Sequence, residues 1–446
     1  MKETIKSINP SNGEVIGEVL ITSDRELSTK MNQAKSAFKL WRNTPIDVRV
    51  ETISRAFESL ASQQRDLARL MSMEMGKDAR RSSGEVSGVI HSAEYIADLV
   101  SDALKPIKQG PGTEIQYTPL GVAAIISPWN YPLVMAANLI IPALVAGNTV
   151  IFKPSEETPL VANEMVASLN EILPEHVLQI VHGKKELGQK LVKSDINLVA
   201  FTGSKDAGKD IMAKASSGLK RLIMELGGND PMIVMHNADL DAAARFAVGS
   251  SFENAGQMCV STERVYVDES VADDFIRKVT DVAMRYRVGT WDDRHANIGP
   301  IVNHSQYSKI KNHINDAITK GAKLILGDAS HPAPFIGPTV ITQMQPDMLI
   351  EIEETFGPIV SIATFAHIDD AINRANDSDY ALGAVVFGTK GANNIANQLE
   401  AGMVGINRGV GGDGDSPWVG AKQSGFGYRG SVEGHRQFAQ VKVVSK

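Results

Sequence analysis

The sequence is poor in cysteine and has no long run of charge of one sign. Cys259 is the only cysteine among 446 residues, so no internal disulfide can form and nothing indicates an oxidising compartment. Lysine and arginine number 45 against 52 aspartates and glutamates, which leaves a formal charge of −7. This balance argues against nucleic acid or an anionic membrane as a partner. Because the first residues hold no apolar signal region, we expect a cytoplasmic protein.

A long uninterrupted hydrophobic run is also lacking. Residues 132–152 carry no formal charge and imitate a membrane span, but Asn138, Pro142, Gly147 and Asn148 interrupt them. A buried helix followed by a buried strand explains this pattern better than a bilayer crossing.

The dinucleotide fingerprint G-x-G-x-x-G is absent from the place where a first strand-to-helix turn would carry it. Residues 203–209 instead fit the spacing of a phosphate-binding loop, but Asp210 occupies the position that needs serine or threonine. A carboxylate there would oppose bound phosphates, which argues against a nucleotide triphosphatase. The turn could still bind a phosphate beside Gly203 and Ser204, because helix N-termini offer free N–H groups. The alternative is an ordinary turn with a serine cap.

Apolar spacing predicts the elements of the first half of the chain. Helices are expected at residues 24–41, 47–75 and 82–104, and a strand pair at residues 113–126 that turns at residues 118–121. Short apolar strands then alternate with helices, which predicts βαβ units and a parallel sheet. These strands are expected at residues 149–152, 178–181, 198–201 and 222–224.

A second alternation begins after residue 225 and continues to about residue 405, which predicts a second α/β domain. Its first elements are expected as strand 232–234, helix 239–252, strand 264–267 and helix 271–287. The tail, residues 434–444, alternates again and could pair with the strand pair at residues 113–126.

Cys259 follows a segment that breaks helical order. Asn254, Gly256 and Gln257 are polar or flexible, which predicts a loop at the end of an element, where reactive groups are common. A lone cysteine is more often a small buried hydrophobe, and that is the alternative. Glu225 ends an apolar strand before two glycines; taken alone, it is a solvated strand end.

Together these segments resemble the aldehyde dehydrogenase superfamily, in the right order and over nearly the whole chain. The resemblance is to its NAD(P)-dependent, non-acylating members. The matching segments are residues 9–14, 119–121 with 128–132, 147–149 with 153–156, 201–204 with 208, 225–228, 256–259, 354–358, and 416–418 with 422–425.

The resemblance implies a role for three catalytic residues. Cys259 would attack the aldehyde carbon as a thiolate, giving a thiohemiacetal and, after hydride loss, a thioester. Asn130 and the Cys259 backbone N–H would stabilise the oxyanion. Glu225 would activate the water that hydrolyses the thioester. Because this base is present, water rather than coenzyme A is the expected acyl acceptor.

The resemblance also implies a cofactor site and no metal. NAD is expected rather than NADP, because Glu156 could accept hydrogen bonds from a ribose hydroxyl and would repel a 2′-phosphate. Lys153 read alone is a strand-end lysine, and Phe356 a core residue. The implied cofactor residues are Ser127, Trp129, Lys153, Glu156, Gly203, Ser204, Gly208, Glu354 and Phe356.

Relatives that oxidise succinate semialdehyde or lactaldehyde often carry arginines at positions that here look like Asn138 and Glu253. We therefore expect a neutral or cationic aldehyde, with a succinate-semialdehyde-type dehydrogenase as the alternative. Asp413 and Asp415 lie in the loop that lines the substrate mouth in this family; alternatively they and Glu253 merely face water. The expected substrate contacts are Tyr131, Met135, Trp418 and Glu253.

Two other classes of protein remain as alternatives. One is a catalytically silent scaffold with the same fold, and the other is a cysteine-dependent acyl hydrolase without a cofactor. The presence of Cys259, Glu225 and Asn130 argues against the scaffold, and no Cys–His pairing is evident for the hydrolase.

The expected fold class is α/β, with a doubly wound cofactor-binding domain, an α/β catalytic domain and a small β extension for oligomerisation. Open strand edges in that extension need covering, so we expect a homodimer or homotetramer. The domains are placed at residues 1–106 and 127–226 for NAD binding, 227–424 for catalysis, and 107–126 with 425–446 for the extension.

Overall fold

The first half of the chain alternates helices and strands much as its apolar spacing predicts. The computed structural model describes residues 3–327 and 331–446. In chain order, its first elements are β1 (Thr4–Ile8), β2 (Val15–Leu20), α1 (Asp24–Trp41), α2 (Ile46–Glu58), α3 (Gln64–Met75), α4 (Ala79–Ala103), β3 (Ile107–Lys108), β4 (Thr113–Pro119), β5 (Val122–Ile126), α5 (Pro132–Val145), β6 (Thr149–Lys153), α6 (Pro159–Asn170), β7 (Leu178–Ile180), α7 (Lys185–Lys193), β8 (Leu198–Thr202), α8 (Lys205–Ala215) and β9 (Arg221–Glu225).

The second half continues the alternation. Its elements are β10 (Asp230–Val234), α9 (Leu240–Phe252), β11 (Thr262–Asp268), α10 (Ala272–Ala283), α11 (His304–Thr319), β12 (Lys323–Leu326), β13 (Thr339–Thr342), α12 (Leu349–Ile352), β14 (Ile359–Phe365), α13 (Ile368–Asn376), β15 (Tyr380–Ala381), β16 (Gly383–Phe387), α14 (Ala392–Ala396), β17 (Met403–Ile406), β18 (Ala421–Lys422), β19 (Gly425–Phe426), α15 (Ser431–Arg436) and β20 (Ala439–Ser445).

Local chemistry explains where the early helices start and stop. The prediction for α1 is confirmed at both ends; Ser23 caps it, and the carboxylate of Glu26 accepts from the Ser23 N–H in return, which forms a capping box. The single helix predicted at residues 47–75 is wrong, because a 3-10 turn at Ser59–Gln63 separates α2 from α3. Ser59 and Ser62 donate their hydroxyls to carbonyl groups three residues back, and such bonds compete with the helical pattern.

A six-stranded sheet organises the first domain in the order β19-β9-β8-β5-β6-β7. Neighbouring strands are parallel except β19, which runs antiparallel to β9. Ala123 and Ile125 of β5 pack into a core with α2 to α6, while Val122 and Ala124 pack into a second core with α1, α7 and α8. Helices thus cover both faces, as the prediction of a doubly wound domain requires.

The predicted strand pair at residues 113–126 is wrong. β4 pairs with β3 and β20, whereas β5 lies between β6 and β8 in the six-stranded sheet. β5 is apolar on both faces, as a central parallel strand must be. The tail does pair with β4, as expected, but the small three-stranded sheet contains only β3, β4 and β20, and residues 122–126 and 425–426 belong elsewhere.

A seven-stranded sheet organises the second domain in the order β12-β13-β14-β11-β10-β16-β17, with only β12 antiparallel to its neighbour. The uncharged residues 132–152 form the buried helix α5 and most of the buried strand β6, as predicted. Among the described residues, no helix has the length and apolar character that a membrane span needs.

Candidate active site

The loop before Cys259 bends sharply as α9 ends. Asn254, Ala255 and Gly256 have φ values of 51°, 57° and 74°, three left-handed residues in a row. A Cβ on Gly256 would lie 2.1 Å from the carbonyl oxygen of Gly357, so only glycine fits there. Left-handed non-glycine residues are costly and persist where their surroundings hold them, as at reactive sites. The predicted loop position of Cys259 is confirmed.

Asn130 is bound to this loop. Its Nδ2 donates to the carbonyl of Gln257 at 3.0 Å, and Nδ2 of Asn254 donates to the carbonyl of Asn130 at 3.1 Å. The Asn130 amide is thereby fixed beside the residues that lead to Cys259. The remaining N–H of that amide is available for a substrate oxygen.

Cys259 opens onto a cavity of about 450 Å³ that Asn130 also lines. The thiol is partly buried, and burial, followed by the nearby carboxylates of Asp230, Glu225 and Glu354, raises its pKa to about 12. The resting side chain is therefore a neutral thiol. Most of the remaining cavity wall is apolar or aromatic: Pro128, Trp129, Tyr131, Val134, Met135, Leu226, Met258, Val260, Phe356 and Trp418.

Glu354 enters the cavity wall from the loop between α12 and β14. Its Oε1 accepts from the Gly228 N–H at 3.0 Å, and Gly227 must lack a Cβ because one would lie 2.6 Å from that carboxylate. Burial, with the charge of Glu263 next, raises the pKa of Glu354 to about 8, while Lys309 opposes the shift. Glu354 thus lies next to the segment that joins Glu225 to β10.

Phe356 is a cavity residue rather than a core residue. It adopts φ 57° and its ring meets that of Trp129 edge-on, with centroids 5.6 Å apart. The buried carboxylate of Glu263 accepts from the N–H groups of both Thr355 and Phe356, which holds this left-handed turn in place.

Glu225 lies at the C-terminal end of β9, 4% exposed, and does not itself line the cavity. Its Oε1 is 2.9 Å from Nε of Arg429, a residue of the C-terminal segment. Burial raises the pKa of Glu225 and Arg429 opposes that shift. The alternative prediction, in which Glu225 is a solvated strand end, is therefore wrong.

A groove of about 440 Å³ continues from the cavity along the start of α8. Cavity and groove share Pro128, Trp129, Thr202, Gly203 and Ser204, so they adjoin along these residues, and we call the two together the channel. The groove wall also contains predicted cofactor residues: Ser127, Lys153 and Glu156.

Ser204 caps α8 through the Ala207 N–H, so the predicted serine cap is present at the mouth of this groove. Nζ of Lys153 is buried and lies 3.6 Å from Oε2 of Glu156. Gly208 does not line the groove; a Cβ there would lie 2.7 Å from the Leu226 side chain, so its small size serves helix packing. A groove with a helix start and a carboxylate at its far end fits a dinucleotide.

Of the four predicted substrate contacts, the structure brings three into the cavity and excludes one. Tyr131, Met135 and Trp418 line it. Glu253 does not; Arg81 donates to both of its oxygens, at 2.6 and 2.8 Å, and the Tyr131 hydroxyl donates to one of them at 3.4 Å.

The two other acids proposed for the substrate mouth are also paired. Asp413 binds Arg408 at 2.8 Å, and Asp415 binds His435 at 3.0 Å. Arg408 balances the charge of Asp413, whereas burial lowers the pKa of His435, so the hydrogen bond to Asp415 does not balance that carboxylate's charge.

Sequence reasoning missed three residues: Arg429, which pairs with Glu225, Asp230, which raises the pKa of Cys259, and Glu263, which raises the pKa of Glu354. None lies in the motif segments that mark the site, and their contacts cross between distant parts of the chain. Asp230 alone offered a signal, because it opens an apolar strand directly after the two glycines.

The comparisons agree with this geometry. The model of the aldehyde dehydrogenase family matches residues 1–444. An aldehyde dehydrogenase-like protein of Schizosaccharomyces pombe is 37% identical, covering 99% of this chain and 92% of that protein. The NADP+-dependent succinate-semialdehyde dehydrogenase of Escherichia coli is 32% identical, covering 99% and 94%.

A solved aldehyde dehydrogenase from Brucella melitensis biovar abortus has the same fold, with a TM-score of 0.95 and 34% identity over 99% of this chain and 93% of that one. The chain belongs to the aldehyde dehydrogenase family. The resemblance and the α/β fold class inferred from the sequence are confirmed.

Proposed function

We propose that this protein oxidises an uncharged aldehyde to a carboxylic acid, with Cys259 as nucleophile, NAD+ as hydride acceptor and water as acyl acceptor. One observation carries the proposal. Cys259 and Asn130 share a cavity that adjoins the groove at the start of α8, with five lining residues common to both. A thiol, an amide donor and a dinucleotide-shaped groove are what oxidation of a thiol adduct needs.

The chain's own residues account for the chemistry at the substrate carbon. The Cys259 thiol loses its proton to water as its sulfur bonds to the aldehyde carbon. The C=O π electrons move to the oxygen, and the Asn130 amide stabilises the charge that develops there. A bound NAD+ supplies a hydride acceptor. Once the adduct carbon has lost its hydride, Cys259 carries a thioester, and Glu225 takes a proton from the water that cleaves it. Cleavage releases the acid and returns the thiol.

NAD+ is the proposed cofactor because the groove presents the carboxylate of Glu156. That carboxylate would accept hydrogen bonds from ribose hydroxyls and repel a 2′-phosphate. Three lysines, Lys153, Lys185 and Lys214, also line the groove; Lys153 pairs with Glu156 and Lys214 with Asp210. The Escherichia coli relative uses NADP+, so the comparison of the two cofactors is a direct test.

An uncharged substrate is proposed because most of the cavity wall is apolar or aromatic. Lys309 and Glu354 both line the cavity, and Lys309 lowers the pKa that burial gives Glu354. Arg81 is bound by Asp78 and Glu253 and is not free for a carboxylate. The pairing of Glu253 also removes the main reason to expect a cation. The name of the Escherichia coli relative keeps succinate semialdehyde as the second candidate.

A panel of hexanal, benzaldehyde, an aminoaldehyde and succinate semialdehyde tests the substrate class. We expect the highest kcat/KM with one of the first two aldehydes. The highest kcat/KM with succinate semialdehyde would replace the proposal with the second candidate.

A homo-oligomer is proposed from the three-stranded sheet. β20 forms its outer edge, and Val441 and Val443 on that strand are 47% and 62% exposed. Unpaired edges with apolar side chains favour pairing with another chain. Sedimentation of the wild type and of Val443→Lys tests this: the variant should lose mass, and a monomeric wild type would contradict the proposal.

The reaction itself is tested by NADH absorbance with NAD+ and the aldehyde panel. We expect activity in the wild type and loss of more than about 10³-fold in Cys259→Ala, since removal of a nucleophile leaves only binding and electrostatics. Quenching of tryptophan fluorescence by NAD+, unchanged in the variant, controls for a damaged groove. No NADH from any aldehyde in the wild type would favour the scaffold.

The hydrolase alternative has a different signature. It needs a base for the thiol, and within the described residues no histidine hydrogen bonds to Cys259. Cleavage of a thioester or ester by Cys259 in the absence of NAD+, with no NADH when aldehyde is supplied, would favour it.

A further inference from the structure

The Glu225 carboxylate needs a cation in order to stay ionised where it lies. It is almost completely buried, and ionisation of an isolated carboxylate in such a place is unfavourable. Arg429 supplies the opposite charge, with Nε 2.9 Å from Oε1. Within the described residues, Arg429 is the only cation that forms an ion pair with Glu225.

The Arg429 guanidinium is held from a second side. It lies 5.3 Å from the centroid of the Trp418 ring. The backbones of the two residues are also joined, because the backbone N–H of Trp418 donates to the backbone carbonyl of Arg429 at 2.9 Å. Gly430 makes this return possible, because it adopts φ 73° and a Cβ there would lie 2.7 Å from the Ser416 carbonyl. The Trp418 ring lines the Cys259 cavity, so Arg429 joins the buried base to the substrate wall.

We propose that Arg429 is a positioning residue that keeps Glu225 ionised, and hence able to act as the base for thioester hydrolysis, while the carboxylate is out of bulk water. This rests on the proposed function, in which hydrolysis at Cys259 needs a carboxylate base. From its resting place the carboxylate reaches the cavity by turning its side chain or through one intervening water.

Among the described residues around Glu225, none except Arg429 is a cation that could stabilise its ionised form. Its partners in the two flanking strands, Thr202 in β8 and Gly425 in β19, are uncharged. The groups on the Cys259 side, Asp230 and Glu354, are acids, and the thiol itself is neutral at rest. Burial raises the pKa of Glu225 and Arg429 lowers it, so loss of Arg429 must raise it further.

The sign of the expected pH effect follows. Glu225 acts as a base only when ionised, so a higher pKa moves the acidic limb of kcat to higher pH. For Arg429→Gln we expect that limb to rise by about one pH unit or more, which lowers kcat about tenfold at pH values below the wild-type limb. The first-turnover burst of NADH should remain, because hydride loss precedes hydrolysis, and KM should change less than kcat. Arg429→Lys should return the limb toward its wild-type position.

Two further variants distinguish a positioning role of Arg429 from a purely structural role. Arg408→Gln removes an exposed arginine of the same C-terminal region and should leave the pH profile unchanged. In a Glu225→Gln background, Arg429→Gln should cause no additional loss of kcat, since the two residues act through one carboxylate. If Arg429→Gln does not fold, Arg429→Met keeps an aliphatic stem over Trp418 and takes its place.

The possible results distinguish failure of this inference from failure of the proposed function. An acidic limb unmoved in the Arg429 variants, or an equal loss of kcat with and without Glu225, overturns the inference while the proposed function stands. A wild type that forms no NADH overturns the proposed function first. A wild type that forms NADH, together with a shifted limb and a retained burst, supports both.

Discussion

The two ends of the channel handle charge differently. At the groove end Asp210 is partly exposed and is satisfied by Lys214 and by the Gln189 amide at 3.0 Å. At the Cys259 end the carboxylates are buried, and the pKa values of Glu225 and Glu354 are raised by that burial. The first arrangement suits binding of a charged ligand, whereas in the second burial opposes ionisation, an effect that Arg429 offsets at Glu225.

This difference separates affinity from reactivity. Paired, hydrated charges cost little to maintain, and each adds little energy. Buried carboxylates around a thiol raise its pKa and keep it neutral until a ligand changes the local field. Changes at the nucleophile end should therefore alter kcat and pH dependence, and changes at the groove end should alter cofactor choice and KM.

Among variants that keep the Cys259 nucleophile, the largest effect is expected for Asn130→Ala. Loss of one oxyanion donor costs on the order of 10²–10³ in kcat, with cofactor binding retained. Asn312→Ala, an exposed asparagine on α11, is the matched control. A reduction in kcat of less than about fivefold would contradict the oxyanion role, and a large rise in the KM for NAD+ would break the separation between the two ends.

Alkylation of Cys259 by iodoacetamide tests the buried carboxylates directly, and the absence of other cysteines makes a single adduct the only product expected. Because the pKa of the thiol is raised, the thiolate is a minor species throughout the neutral range. Without cofactor the rate should climb about tenfold per pH unit between pH 7 and 9, past the free-thiol value of about 8.5. Glu354→Gln removes one acid and should move the curve to lower pH.

N-acetylcysteine in the same buffers provides the reference curve. A plateau of the protein's alkylation rate at or below about pH 8 would contradict the raised pKa. Such a plateau would mean that Cys259 is as hydrated as the partly exposed, paired charges at the groove end.

Sequence reasoning succeeded where the information is local. The ends of α1 follow from a capping box, and the loop before Cys259 follows from Asn254 and Gly256. It failed where the pairing of a strand is decided by segments that are distant in the sequence. Residues 113–126 alternate like a hairpin, but β5 is buried on both faces and only the six-stranded sheet provides two covered faces.

The same limit applies to the site. Cys259, Asn130 and Glu225 were predicted as site residues because each lies in a short motif formed by its own neighbours in the sequence. The pairings that set their electrostatics, Arg429 with Glu225 and Arg81 with Glu253, join residues that lie more than 170 positions apart. Glu253 was therefore expected either to contact the substrate or to face water, and its ion pair with Arg81 was not foreseen.

The smallest effect is expected at the groove end, for Glu156→Gln. Loss of the carboxylate removes the repulsion of a 2′-phosphate and frees Lys153, whose Nζ lies 3.6 Å away, to attract it. We expect the ratio of kcat/KM for NADP+ to that for NAD+ to rise about tenfold, equivalent to about 1.4 kcal/mol, with kcat almost unchanged. Glu164→Gln, an exposed acid on α6, is the control. An unchanged ratio would move cofactor choice to Lys185 and Lys214, and a large fall in kcat would show that the two ends of the channel are not independent.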